Sequence, residues 1–308
     1  MNILFMGTPQ FAVPSLQVLI NSKHDIISVV CQPDKPKGRS KKLVKPPTKE
    51  VAEKYSIPVL QPEKIKTDEF FKILLNLSPD LIVVVAYGKI IPKNILDIPS
   101  YGCINVHASL LPKYRGAAPI NWAIVNGESE TGVTTMLMDE GMDTGDILLK
   151  EVVTINKDDN SLTLYNKLSK IGADLLVRTI ELLENKNIKP IKQDSSKATY
   201  APLIKKVDGF INWEKSAIEI ENLIRGFQPW PTAHTTLNGK ILKIYNANKI
   251  EGNAKPGEVV YIDKKSLHVG TGEGILNIID LQLEGSKRML IKDFLSGKKI
   301  NKGEILGN

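Results

Sequence analysis

The sequence predicts an α/β N-terminal half, built on a mostly parallel sheet, and a smaller, mainly β C-terminal unit. Three observations carry this. Short Val, Ile and Leu runs at 2–6, 26–31, 59–60 and 81–86 alternate with helical patterns, and continuous apolar strands belong to parallel sheets covered on both faces. After about residue 207 the texture changes to short β runs punctuated by glycine. Finally, a chain of 308 residues suggests two domains, at roughly 150 residues each.

The elements follow in order. Residues 2–6 form a strand that ends at Gly7-Thr8-Pro9, a sharp turn. Phe11, Pro14, Leu16, Val18 and Leu19 fit a helix with an early proline. Strands at 26–31, 59–60 and 81–86 alternate with helices at 48–55 and 67–77, a doubly wound, Rossmann-like order. Such sheets bind ligands outside the carboxyl ends of their strands. Residues 33–47 interrupt the order with a polar stretch that has no apolar period, and read as a mobile surface loop. Strands at 131–139 and 145–155 flank a turn at 140–144. An amphipathic helix covers 162–183, with Ser161 as its N-cap. Residues 185–201 are polar and Lys-rich and read as a linker. A helix at 216–226 precedes β runs at 232–237, 240–246, 257–262, 266–269 and 274–283, the spacing of a small antiparallel barrel or sandwich. The expected division is 1–188, a basic linker at 189–207, and 208–308.

Composition excludes several classes. The chain is 42% hydrophobic and 24% charged, values ordinary for a globular protein. The longest apolar stretch, 81–86, is far short of the ~20 residues of a spanning helix. The N-terminus has no basic region before an apolar run, so a cytoplasmic location is expected. Two cysteines, Cys31 and Cys103, suit reduced buried thiols better than a disulfide framework. The G-x-x-x-x-G-K-[ST], H-E-x-x-H and C-x-x-C patterns are missing, and no metal is expected. Gly7-Thr8-Pro9 lacks the later glycines of a dinucleotide fingerprint and reads as a βα turn.

Charge is more telling. The net charge is +7, yet residues 34–49 carry +6 and 186–206 carry +5, leaving −4 for the rest. Two concentrated cationic segments on a near-neutral chain point to a polyanionic partner. The cations are 36 Lys and only five Arg, so an Arg kept in such a chain, as Arg39 is within the first basic segment, marks a place where a planar guanidinium fork matters.

Two polar clusters carry chemistry. In Cys103-Ile104-Asn105-Val106-His107, Asn105 and His107 lie two apart on a strand and share a face. An amide and an imidazole at a strand's carboxyl end can act on one ligand atom. A lone histidine there could equally be structural. Residues 138–146 hold four acids, but their spacing does not match a calcium loop. A glycine-flanked turn that brings one carboxylate to a pocket is the better reading, against a solvated hairpin tip.

These residues resemble a known family. Asn105-x-His107-x-Ser109-Leu110-Leu111-Pro112-x-Tyr114-Arg115-Gly116, followed by Asp143 in Asp-x-Gly-x-Asp, is similar to the folate-dependent formyltransferases. The opening Phe5-Met6-Gly7-Thr8-Pro9-Gln10-Phe11-Ala12, the loop Gln32-Pro33-Asp34-Lys35-Pro36-x-Gly38-Arg39-x-Lys41-Lys42 and the segment Arg225-Gly226-Phe227-x-Pro229-Trp230-Pro231 resemble the branch that formylates methionine esterified to initiator tRNA. The likeness covers essentially the whole chain. It implies 10-formyltetrahydrofolate as co-substrate, initiator Met-tRNA as partner, a monomeric enzyme with no membrane partner, and an OB-fold-like C-terminal barrel.

The resemblance also implies site residues. Asn105, His107 and Asp143 are the catalytic set. Ser109, Leu110, Leu111 and Pro112 wall the folate, with Tyr87, Gly88, Asp139 and Gly141 at the pterin edge through backbone groups. Arg39, Lys41, Lys42, Lys205 and Lys206 contact the tRNA. Relatives that formylate a small amine, such as a sugar nucleotide, form the alternative, but they have no use for the +6 loop. A non-catalytic RNA-binding module is the rival of another class, and an intact Asn105, His107 and Asp143 argue against it.

Overall fold

A computed structural model describes residues 1–37, 42–298 and 300–307. The chain divides into two units. The first comprises Met1–Pro119, Thr131–Thr154 and Tyr165–Ala201, the second Ile120–Glu130, Ile155–Leu164 and Pro202–Asn308.

The first unit opens with β1 (Asn2–Gly7), α1 (Val13–Ile20) and β2 (Asp25–Val30). The stretch expected as an irregular loop holds an antiparallel pair, β3 (Lys35–Lys37) with β4 (Lys42–Val44). Its strands are short and β4 is exposed, so no apolar period announces them. Next come α2 (Pro47–Lys54), β5 (Val59–Leu60), α3 (Asp68–Leu77), β6 (Leu81–Val85), α4 (Lys93–Leu96), β7 (Cys103–His107) and β8 (Arg115–Gly116). Thr67 caps α3 by accepting the Phe70 N–H. After α5 (Pro119–Val125), β9 (Glu130–Leu137) and β10 (Ile147–Thr154), α6 (Ser161–Glu184) leads to β11 (Tyr200–Ala201).

The main sheet runs β10-β9-β7-β6-β1-β2-β5. Its β7-β6-β1-β2-β5 portion is parallel, and β9 lies antiparallel to β7. This is the doubly wound, Rossmann-like sheet that the sequence predicts. All five residues of β6 are buried, and one core gathers Leu4, Met6, Ile82, Val84 and Phe70. Each such side chain contributes about 1.5–3 kcal/mol on burial.

Two details differ from the sequence reading. Asn160, not Ser161, caps α6: its Oδ1 accepts the N–H groups of Leu162 and Thr163 at 2.9 and 3.1 Å, while the Ser161 hydroxyl donates to the Gly226 carbonyl. The stretch read as a linker is tied to the first unit as far as Ala201. Ile191 and Ile147 exchange both backbone hydrogen bonds, at 2.8 and 2.9 Å, and β11 pairs in parallel with β8.

In the second unit's stretch from Pro202 onward the first α-helix is α7 (Ala217–Gly226), closed at its N-terminus by a reciprocal Ser216–Glu219 capping box. Then follow β12 (His234–Leu237), β13 (Lys240–Ile250), β14 (Val259–Ile262), β15 (Leu267–Gly270), β16 (Ile275–Leu283), β17 (Met289–Leu290) and α8 (Ile291–Gly297). The order β12-β13-β16-β15-β14, with β17 on β16, is antiparallel throughout. The expected small barrel is present as this curled half-barrel. Val259, Leu267, Leu276, Ile278 and Leu281 fill its interior with Ile220 and Ile224 of α7.

Candidate active site

The site grows from the carboxyl end of β7. Antiparallel β9 sets Asn105 opposite Met136 and His107 opposite Thr134, and the period of two sends both side chains to one face. His107 is buried and Asn105 half-buried. The turn between β9 and β10 brings in Asp143. Gly145 is what lets that turn close, because a Cβ there would lie 1.7 Å from the Leu137 carbonyl oxygen. Asp143 itself adopts φ 54°, a left-handed conformation that Asp tolerates better than most residues.

The three groups converge on one atom. Asn105 Nδ2 donates to Asp143 Oδ1 at 3.4 Å, and His107 Nδ1 lies 3.6 Å from the same oxygen. Both separations are longer than an ordinary hydrogen bond. Asp143 Oδ2 is anchored by the Gly116 N–H at 2.8 Å. The far nitrogen of the ring, His107 Nε2, lies 3.0 Å from the Tyr114 carbonyl oxygen. Both ring nitrogens therefore face oxygen. His107 Nδ1 and Asn105 Nδ2 thus share one oxygen of Asp143.

The wall after β7 is rigid. Ser109 Oγ donates to the Lys113 carbonyl at 2.6 Å. Thr134 Oγ1 donates to the Ser109 carbonyl at 2.7 Å and accepts the Leu111 N–H at 3.1 Å. The Leu111-Pro112 peptide is cis. Leu111 is core, packed with Met136 and Ile147, while Leu110 and Pro112 keep some exposure.

The other expected folate residues separate into backbone and side chain. The Tyr87 side chain is buried among Leu4, Met6 and Val84, and burial pushes its phenol up to about 12. Its carbonyl accepts from Thr8 Oγ1 at 3.3 Å and Gln32 Nε2 at 3.1 Å. Gly88 follows with φ 84°. Asp139 spends its carboxylate on its own turn, accepting the Gly141 N–H at 3.0 Å and the Thr144 hydroxyl at 2.6 Å. Cys103 is no nucleophile here, since burial lifts its thiol to about 12.

Among the expected tRNA residues, Arg39 and Lys41 lie outside the described residues. Lys42 and Lys205 are exposed. Lys206 lines a cavity of about 340 Å³ in the second unit with Trp230, His234, Lys243 and Gln282. The sequence reading did not anticipate this cavity. It also passed over Gln193, which hydrogen-bonds the Asp143 turn. A single amide within a Lys-rich stretch gives no sequence signal.

Comparison with known proteins places the chain in a family. The family model "Formyl transferase" matches residues 1–180, and "Formyl transferase, C-terminal domain" matches 203–299. The methionyl-tRNA formyltransferase of Geobacter metallireducens is 50% identical over 100% of this chain and 99% of its own length. The chain belongs to the methionyl-tRNA formyltransferase family. Another member, from Thermodesulfovibrio yellowstonii, is 54% identical over 98% of this chain and 97% of that protein. The fold also resembles solved structures. The N-formyltransferase of Helicobacter canadensis, in complex with folinic acid and dTDP-3-aminofucose, superposes with a TM-score of 0.67 at 20% identity, covering 94% of this chain and 100% of that one. Aquifex aeolicus HypX in complex with tetrahydrofolic acid gives a TM-score of 0.64 at 18% identity, covering 99% of this chain and 50% of that one. Among the described residues no helix is long and apolar enough to cross a membrane.

Proposed function

We propose that this chain transfers the formyl group of 10-formyltetrahydrofolate to the α-amino group of methionine on initiator Met-tRNA. The single observation that carries the chemistry is the convergence of Asn105 Nδ2 and His107 Nδ1 on Asp143 Oδ1. The full-length likeness to proteins of that name supplies the substrates.

The amine attacks the formyl carbon and a C–N bond forms. Negative charge develops on the formyl oxygen, where Asn105 Nδ2–H and His107 Nδ1–H act as an oxyanion hole. The bond from the formyl carbon to folate N10 then breaks and N10 takes up a proton. The amine gives up a proton, and Asp143 accepts it directly or through water while holding His107 charged. The folate ring lies against Ser109, Leu110, Leu111 and Pro112, with the backbone of Tyr87, Gly88, Asp139 and Gly141 at the pterin edge.

Catalysis belongs to the first unit and part of tRNA binding to the second. Arg39 and Lys41 read the acceptor end, and Arg39 can contact base edges or phosphates bidentately. Lys42, Lys205 and Lys206 contact phosphate. Trp230 offers a stacking face beside Lys206 and Lys243.

The test is formylation by the purified chain, with charged initiator and charged elongator tRNA supplied separately. Tetrahydrofolate release only with the charged initiator is expected. Release with an amino-sugar nucleotide but not with the tRNA would overturn the reading.

A further inference from the structure

We propose that Gln193 is a positioning residue for formyl transfer, clamping the backbone that carries Asp143. The inference rests on the reading of Asp143 as catalytic.

Gln193 uses both ends of its amide. Its Oε1 accepts from Arg115 Nε at 3.1 Å and Arg115 Nη2 at 2.8 Å. Its Nε2 donates to the Asp143 carbonyl at 2.8 Å and the Gly145 carbonyl at 2.7 Å. The amide orientation is unambiguous, because a guanidinium only donates and a carbonyl only accepts. One side chain thus holds both ends of the 143–145 turn and ties it to Arg115, which is 3% exposed.

The turn needs such a hold. Asp143 sits at φ 54°, a conformation that persists in a non-glycine residue where its surroundings fix it. The Gly116 N–H fixes the carboxylate and Gln193 fixes the carbonyl. Gln193 in turn is seated by the backbone pairing of Ile191 with Ile147 and of Tyr200 with Arg115. A shift of about 1 Å at a catalytic group can cost on the order of a hundredfold in rate.

Gln193→Glu isolates the donor end. It keeps an acceptor for Arg115 and replaces the two donated hydrogen bonds with an oxygen facing two carbonyls. Formylation of charged initiator tRNA should lose about 10–100-fold in kcat, with KM for both substrates within about twofold and the melting temperature lowered but still well above the assay temperature. In an Asp143→Asn background the same substitution should add almost nothing, because its effect passes through Asp143. Normal kcat in Gln193→Glu, a loss that merely tracks unfolding, or full additivity with Asp143→Asn would each overturn the proposal. Asp143→Asn alone separates the two readings. If it retains turnover, the catalytic assignment fails. If it is inactive while Gln193→Glu is normal, only the role of Gln193 fails.

Discussion

Asn105 and His107 both face Asp143 Oδ1, yet substitutions at 105 and 143 should not cost the same. One oxyanion donor supplies about 3 kcal/mol of barrier lowering. His107 Nδ1 lies 3.6 Å from Asp143 Oδ1, and opposite unit charges about 4 Å apart interact by about 4 kcal/mol at an effective dielectric near 20. The side chains are 7% and 15% exposed, so screening by water is limited. Asn105→Ala should therefore lower kcat by about 10²–10³, and Asp143→Asn by at least as much. Asn is the informative replacement at 143, because its one oxygen still accepts from the Gly116 N–H, while the charge is removed and an NH2 replaces the oxygen that faces Asn105 Nδ2 and His107 Nδ1. Steady-state formylation at saturating substrates measures both. An Asn105→Ala enzyme within about tenfold of the parent would remove that amide from the oxyanion hole.

At the scale of elements, the turn from β9 to β10 depends on a close approach of backbone. A methyl at position 145 would collide with the Leu137 carbonyl, so Gly145→Ala should destabilise the fold by roughly 2 kcal/mol and displace Asp143. Thermal unfolding reads the first effect and kcat the second. The N-terminus of α7 behaves differently. Lys215 first, then the Ser216 backbone and hydroxyl, hold the Glu219 carboxyl down at about 2, below its ordinary 4.5. A carboxyl lowered on folding stabilises above its unfolded range, and that contribution fades as pH falls from about 4.5 toward 2. Glu219 is 48% exposed, so the effect at neutral pH stays below about 1 kcal/mol. Glu219→Gln should flatten the acid limb of the stability curve, and Ser216→Ala should cost about 1 kcal/mol. An unchanged acid limb would show that the box contributes nothing.

The same elements explain what the sequence made legible. The apolar runs of β1, β2 and β6 announced the parallel sheet because burial on both faces leaves no polar period. Asn105 and His107 were visible because a strand's period of two is local. The cap of α6 was misread by one residue, since Asn160 and Ser161 are both good caps and only a contact distant in sequence, Ser161 to Gly226, chose between them. The β3–β4 pair stayed hidden because its exposed strands need no apolar face. Gln193 was illegible for the same reason as the docking of 189–201: both depend on partners 48 to 85 residues away. Tyr87, expected to meet the folate through its backbone, has its side chain in the core.

For the whole molecule, the decisive quantity is where the charge sits. A net +7 spread evenly would serve solubility alone, but 34–49 and 186–206 hold more than the whole excess. Neutralising phosphates with lysine releases counterions, so tRNA affinity should fall steeply and log-linearly with salt while folate KM stays flat. Each lysine that meets a phosphate should contribute about 0.7–0.9 to that slope. The cavity in the second unit sharpens the expectation, because it sets two lysines beside an aromatic face. Lys206→Ala and Lys243→Ala should each reduce the slope by about one. Trp230→Ala should weaken binding by about 1–3 kcal/mol with the slope unchanged, as lost stacking does. Arg39→Ala should impair formylation of the full tRNA by more than about tenfold and leave folate binding intact. Titrations of charged initiator tRNA at several salt concentrations distinguish these modes. A slope that Lys206→Ala and Lys243→Ala leave untouched would place the phosphate contacts elsewhere on the chain.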